Sequence, residues 1–173
     1  MGMSPGSFSS TLLAPPPKIR HVLQMASEID LDEAKPKGRP QVRRARADML
    51  IGQIIAEAER LNADPTMMHS VARLSVFGSY LTDKPVLGDL DIAVLLNARW
   101  DSNVKGQWEA MRTTFLAAHP PAPSRSDYMS KLLWPQLYIF RRLRVGRGMS
   151  IHDEEEIKLC GFEMRTIFEA VPR

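Results

Sequence analysis

Cysteine is almost missing from this chain: Cys160 is the single one in 173 residues, which excludes an intramolecular disulfide and suits a reducing cytosol. Its bland reading is a small residue buried on a helix face. Long hydrophobic runs are missing too. No stretch approaches the roughly eighteen apolar residues of a membrane span, and Met1 to Leu13 lacks the charged start and long apolar centre of a secretion signal. The expectation is a soluble, cytoplasmic protein with no membrane partner. Net charge is low as well, at +3, but it is unevenly spread. Arg39, Arg43, Arg44 and Arg46 crowd one region, and Arg141, Arg142, Arg144 and Arg147 another. Such clusters form solvated faces or meet a polyanion. With 44% hydrophobic residues the chain can bury one modest core, so one domain with an extra segment is expected.

That extra segment is residues 1–40, rich in Ser, Pro and Gly, with Pro15-Pro16-Pro17 at its centre and KPKGRP at its end. Its composition reads as a flexible basic arm. A short helix between Ile19 and Leu31 also fits the spacing of Ile19, Val22, Leu23 and Ala26. KGRP resembles the core of an AT-hook, which implies nucleic acid as a partner; linker composition explains the same residues. The domain proper is expected over residues 41–173.

What is present, and organises the rest, is the stretch from Val76 to Leu96, VFGSYLTDKPVLGDLDIAVLL. An apolar run, Leu74, Val76 and Phe77, ends at Gly78-Ser79; after a loop, Asp89-Leu90-Asp91-Ile92 opens a second apolar run. Two strands flanking a polar turn are predicted. Alternation along a strand puts Asp89 and Asp91 on one side and Leu90, Ile92, Val94 and Leu96 on the other. Two neighbouring carboxylates repel unless a cation sits between them, so the economical resident is a divalent metal. Gly78 allows close approach and unusual dihedrals, and Ser79 adds a hydroxyl and a backbone N–H, all suited to phosphate. Phosphate and metal then meet in one place, as phosphoryl or nucleotidyl transfer requires.

At these residues the chain resembles the nucleotidyltransferases of the DNA polymerase beta superfamily, whose signature is Gly-Ser, a short loop, and two acidic residues separated by one apolar residue. Here the match is Gly78, Ser79, an interval over residues 80–88, then Asp89, Leu90 and Asp91. The resemblance implies an α/β (α+β) fold, with a small mixed sheet flanked by helices. It also implies Mg²⁺ or Mn²⁺ held by Asp89 and Asp91, and a nucleoside triphosphate bound at Gly78 and Ser79. Members carry a third carboxylate on a later strand. By chain order the candidate for that role is Asp153, with Glu109 and Asp127 poorer choices; as the start of the run Asp153-Glu154-Glu155-Glu156, it equally suits a helix cap. The commonest loop pattern carries an arginine. In this chain Tyr80, Asp83, Lys84 and Pro85 occupy the loop, and Lys84 is the candidate for touching the triphosphate.

Around this centre, Ile51, Ile54, Ile55, Ala58 and Leu61 predict a helix over residues 41–63 with Glu57 off its apolar face, broken at Asp64-Pro65. His69 reads as a surface or boundary residue. Trp108, Met111 and Phe115 predict a helix over residues 104–118, with His119 at its end. Leu132 to Phe140 contains Pro135 and reads as a broken helix or a helix followed by a strand. Residues 143–145 and 149–151 around Gly146-Arg147-Gly148 read as a hairpin. If Ile151 points into the core, Asp153 shares its side and His152 lies on the other. A last helix is expected from Asp153 to Val171 through Ile157, Cys160 and Met164.

Two functions follow from the resemblance. The first is an enzyme moving a nucleoside monophosphate from a triphosphate to a hydroxyl of a protein, small molecule or nucleic acid. Small members often modify a partner toxin as antitoxins, and this chain's size permits that. The alternative is a protein of the same fold without turnover, binding nucleotide, DNA or protein.

Overall fold

The spacing of Ala47, Leu50, Ile54, Ala58 and Leu61 places them on one side of a helix, α1 (Arg44–Ala63), where all are buried. The computed structural model describes residues 41–121 and 128–171; the expected arm and its KGRP motif lie outside them, as does Asp127. A short strand β1 (Val42–Arg43) leads into α1 and pairs antiparallel with β3 (Val86–Leu87). The Arg44 N–H donates to the Pro85 carbonyl at 3.0 Å. At the far end of α1, Arg99 donates to the Asp64 and Asn62 carbonyls at 2.6 and 2.8 Å, meeting acceptors that a helix C-terminus leaves open.

Four strands form the main sheet in the order β5 (Met149–Asp153), β4 (Leu90–Ala98), β2 (His69–Phe77), β6 (Met164–Glu169). β2 runs antiparallel to both β4 and β6, and β5 runs parallel to β4. One face buries Val71, Leu74, Val76, Leu90, Ile92 and Val94 beneath α1, α2 (Gln107–Ala118) and α3 (Tyr128–Leu143), which contribute Leu50, Ile54, Phe115, Ile139 and Leu143. The opposite face carries a smaller cluster of Phe77, Ala93 and Met164, covered by Ile157 of α4 (Glu154–Leu159). The described residues thus form an open α+β arrangement. No helix among them is long and apolar enough to cross a membrane.

The structure corrects several local expectations. Pro135 lies within an unbroken α3; its lost N–H bond is offset by burial of Trp134, Ile139 and Leu143 and by the Trp134 indole N–H donating to the His119 carbonyl at 2.7 Å. Residues 143–145 form no strand, and β5 finds β4 in parallel instead of folding back as a hairpin. The expected last helix stops at Leu159, because Gly161 adopts a φ of 72°, the left-handed cap that favours glycine. The chain then continues as β6, and Cys160 at that cap is exposed. Glu57 is buried, not off the core face. Its carboxylate pairs with Arg142 at 2.6 Å and with Arg60, which ties α1 to α3.

His69 opens β2 as a boundary residue, but it is 7% exposed, with its ring edge-on to Trp100 at 5.0 Å and Nδ1 without a hydrogen-bond partner. Burial, with the nearby charge of Arg99, lowers its pKa to about 4. The ring is therefore neutral when folded but protonates in the unfolded chain below about pH 6.5. Unfolding then takes up a proton, so this residue's contribution erodes as pH falls from about 6.5 to about 4, by roughly 3 kcal/mol in all. Urea unfolding at pH 7 and pH 4 should show a smaller loss in His69→Phe than in the parent chain; equal losses would contradict this account.

Candidate functional site

The register of the sheet assembles the site at one end of its second face. Phe77, the last residue of β2, lies opposite Asp91 of β4 and Met164 of β6. Directly paired residues share a face, and Leu90, Ile92 and Val94 point into the helical core. Asp91 and Ala93 must therefore face the other way. The parallel pairing sets Ser150 beside Asp91 and His152 beside Ala93, on that same face. Asp89, just before β4, reaches this group too: its carboxylate accepts the Ser150 hydroxyl at 3.0 Å.

After Phe77 the chain turns through a single 3-10 turn, Gly78–Leu81. Gly78 has a φ of 65°, and a Cβ there would stand 3.1 Å from Asp91 Oδ2. Both constraints call for glycine: the left-handed backbone, and the near contact that a Cβ would make with the Asp91 carboxylate. The Ser79 hydroxyl donates to the Asp89 carbonyl at 3.2 Å, joining the turn to the head of β4. Asp89, Asp91, Gly78 and Ser79, predicted from the sequence as one site, are thus brought together.

The turn is held from the helical side. Arg44 of α1 donates to the carbonyls of Tyr80 and Lys84 at 3.3 and 3.2 Å and also to that of Thr82. Its guanidinium lies 5.0 Å from the centre of the Tyr80 ring, with Arg165 of β6 at 5.5 Å. The Tyr80 hydroxyl donates to Asp48 at 2.6 Å. Burial, and then this bond, push the phenol above its ordinary value. Lys84 itself is exposed in the loop, and its carbonyl accepts from Arg44.

Asp153 does not join the pair. It lies opposite Val94, whose side chain is buried beneath the helices, so the register places it on the face away from Asp91. Its carboxylate accepts the Glu155 N–H at 2.8 Å as the N-cap of α4. Burial raises its pKa, against the lowering effect of the Glu155 and Glu156 N–H groups. The side chain on β5 that turns toward Asp91 is His152, with Nε2 3.8 Å from Asp91 Oδ1 and 39% of the side chain exposed. The strand alternation that puts His152 opposite Ile151 was readable in the sequence. The parts played by Ser150, Arg44 and Asp48 were not, because each depends on a partner far along the chain. Glu109 lies in the first turn of α2.

Among the described residues no group of three or more His, Cys, Asp or Glu side chains converges as a metal cage. What the site offers is two carboxylates and a glycine that leaves one of them open. Such a set suits a hard divalent cation whose other positions are filled by water and phosphate oxygens, the usual manner of Mg²⁺.

If capping is the work of Asp153, Asp153→Asn should change stability little, since Asn caps as well as Asp, while Asp153→Ala should cost about 1 kcal/mol in urea unfolding. Equal destabilisation by both changes would contradict the cap. No protein-family model, no curated protein and no solved structure matches this chain.

Proposed function

We propose that this chain is a nucleotidyltransferase-like protein that binds a nucleoside triphosphate together with Mg²⁺ or Mn²⁺ and moves its nucleoside monophosphate to a hydroxyl acceptor, releasing pyrophosphate. The observation that carries this reading is the juxtaposition of Asp89 and Asp91 with Gly78-Ser79 at the junction of β2 and β4. Each member has its own physical reason to be there, and together they match the order and spacing of the signature described above.

The fit of a cation rests on the donor set. Asp89 and Asp91 supply hard oxygens, and the missing Cβ of Gly78 keeps Asp91 Oδ2 accessible. Mg²⁺ is commonly held by one or two carboxylates together with water and substrate phosphates, and Asp89 and Asp91 supply two. When bound, the metal would neutralise charge on the phosphate oxygens around the transferring group. The chain's own part is binding and orientation. Gly78 and Ser79 offer backbone N–H groups to the phosphates, the Arg44 and Tyr80 contacts hold that turn rigid, and the Ser150 bond fixes one carboxylate of the pair. Positioning of this sort is the larger part of catalysis in phosphoryl chemistry.

A second reading is favoured by one specific observation. On β5 the residues that share Asp91's face are Ser150, which pairs with it, and His152, 3.8 Å from its carboxylate, and neither is an acid, while Asp153 caps α4 from the other face. A protein that binds a nucleotide without turning it over would have this arrangement. The two readings share the binding site and differ in product.

Calorimetry with each of the four ribonucleoside triphosphates in Mg²⁺ should detect binding. The double change Asp89→Asn, Asp91→Asn should weaken it at least about tenfold, which is about 1.4 kcal/mol, without lowering the thermal transition. Unaltered affinity in that variant would overturn the site. Incubation with triphosphates labelled at the α-phosphate, alongside hydroxyl-bearing protein and nucleic-acid acceptors, separates the readings. Label transferred to an acceptor supports the enzyme; binding without transfer supports the module.

A further inference from the structure

Phe162 is large, apolar and 53% exposed, and it stands on the same face of the sheet as the carboxylate pair. Gly161, in its left-handed conformation, lifts the chain off the end of α4 and so presents Phe162 before β6 begins. The ring is seated: it lies 5.8 Å from the ring of Phe77 at an interplanar angle of 47°. Phe77 is in turn 6% exposed and meets His152 edge-on at 5.4 Å, and His152 Nε2 lies 3.8 Å from Asp91. His152, Phe77 and Phe162 therefore form a continuous ring-lined wall that starts beside the carboxylates and ends at an open aromatic face.

We propose that the exposed ring of Phe162, supported from beneath by Phe77, is the stacking platform for the base of the nucleotide. This inference rests on the reading of Gly78-Ser79 and Asp89-Asp91 as a triphosphate site and names a further contact for the same ligand. Phe77 immediately precedes Gly78, so the phosphate cradle and the base of the platform are consecutive in the chain. In a nucleotide one ribose separates the first phosphate from the base, and one ring, Phe77, lies between Gly78 and the Phe162 ring 5.8 Å beyond it. A purine or pyrimidine has a π face to offer, and stacking on a protein aromatic ring stabilises it without reading its edge. Phe162 is already half buried with its ring against Phe77, so part of its side-chain freedom is given up before binding.

The test uses the full chain with Mg²⁺ and two probes, ATP and inorganic tripolyphosphate, titrated calorimetrically into the parent protein, Phe162→Ala and Phe162→Trp. Phe162→Ala should weaken ATP binding roughly tenfold, within the range that stacking on one ring supplies. It should leave tripolyphosphate affinity unchanged, and Phe162→Trp should keep or strengthen ATP binding. An unchanged ATP affinity in Phe162→Ala, beside normal binding of both probes by the parent, would overturn the platform and leave the phosphate site standing. Equal weakening of both probes would also overturn it, since that is the mark of a structural role. Binding of neither probe by the parent chain would overturn the triphosphate reading and the platform with it.

Discussion

Everything in the described fold depends on which way β4 faces. Leu90, Ile92 and Val94 are fully buried against the helices, and strand alternation then forces Asp91 outward, with Asp89 joining it through Ser150. A slip of one residue would exchange the two sets and drive a carboxylate into the core while exposing three large apolar side chains, a loss of several kcal/mol from burial alone. The register is therefore fixed by the core, and the neighbours inherit it. Antiparallel pairing brings Phe77, and so Gly78, to Asp91; parallel pairing brings Ser150 and His152. The candidate site is where a hydrophobic requirement on one face leaves acidic residues on the other.

Two buried glutamates lock the layers around that sheet. Glu154, fully buried at the start of α4, pairs with Arg73 of β2 and with Lys158 one turn later. The Arg73 bonds hold its carboxyl below its ordinary value despite burial. Glu57 does the same work between α1 and α3 through Arg142, and the bond to Glu57 raises the guanidinium's already high pKa further. Neither pair is a strong net source of stability, because taking the glutamate charge out of water offsets much of the attraction to its partly exposed arginine. Their effect is positional: removing one partner strands a buried charge. Glu154 thus fixes α4 over the second face, and through α4 the placement of Phe162.

How far the sequence revealed this follows the range of the interactions. The strand, turn and strand from β2 to β4 were legible because their signals are local: alternation, a glycine and a pair of acids within one stretch. The helix α1 was legible from its period, although the burial of Glu57 was not, since Arg142 lies far along the chain. The last helix was overextended because Ile157, Cys160 and Met164 sustain a helical spacing; one glycine at residue 161 outweighed them by offering a left-handed stop. The hairpin expected around Gly146-Arg147-Gly148 failed for a related reason. Local turn residues invite a return of the strand, but pairing Ile151 with Ile92 buries more than a solvated hairpin could. The pattern sets His69 just before the first strand as a surface or boundary residue; it is the first residue of β2 and buried against Trp100, a contact that no local pattern announces.

The position of Asp153 shows the same hierarchy at the site itself. To face Asp91, β5 would have to advance by one residue against β4. Ile151 would then leave the core side for the polar face. Glu154, next in the chain, would be drawn away from Arg73, and its buried carboxylate would lose that partner. Each of these losses is of order 1 kcal/mol or more, and they fall together. His152 therefore lies near Asp91 because core and ion pair agree on one register, and a change of side-chain rotamer at Asp153 would not reverse it. An imidazole, and not a third carboxylate, is what β5 turns toward Asp91, so the chemistry available there follows from packing decided on the other side of the sheet.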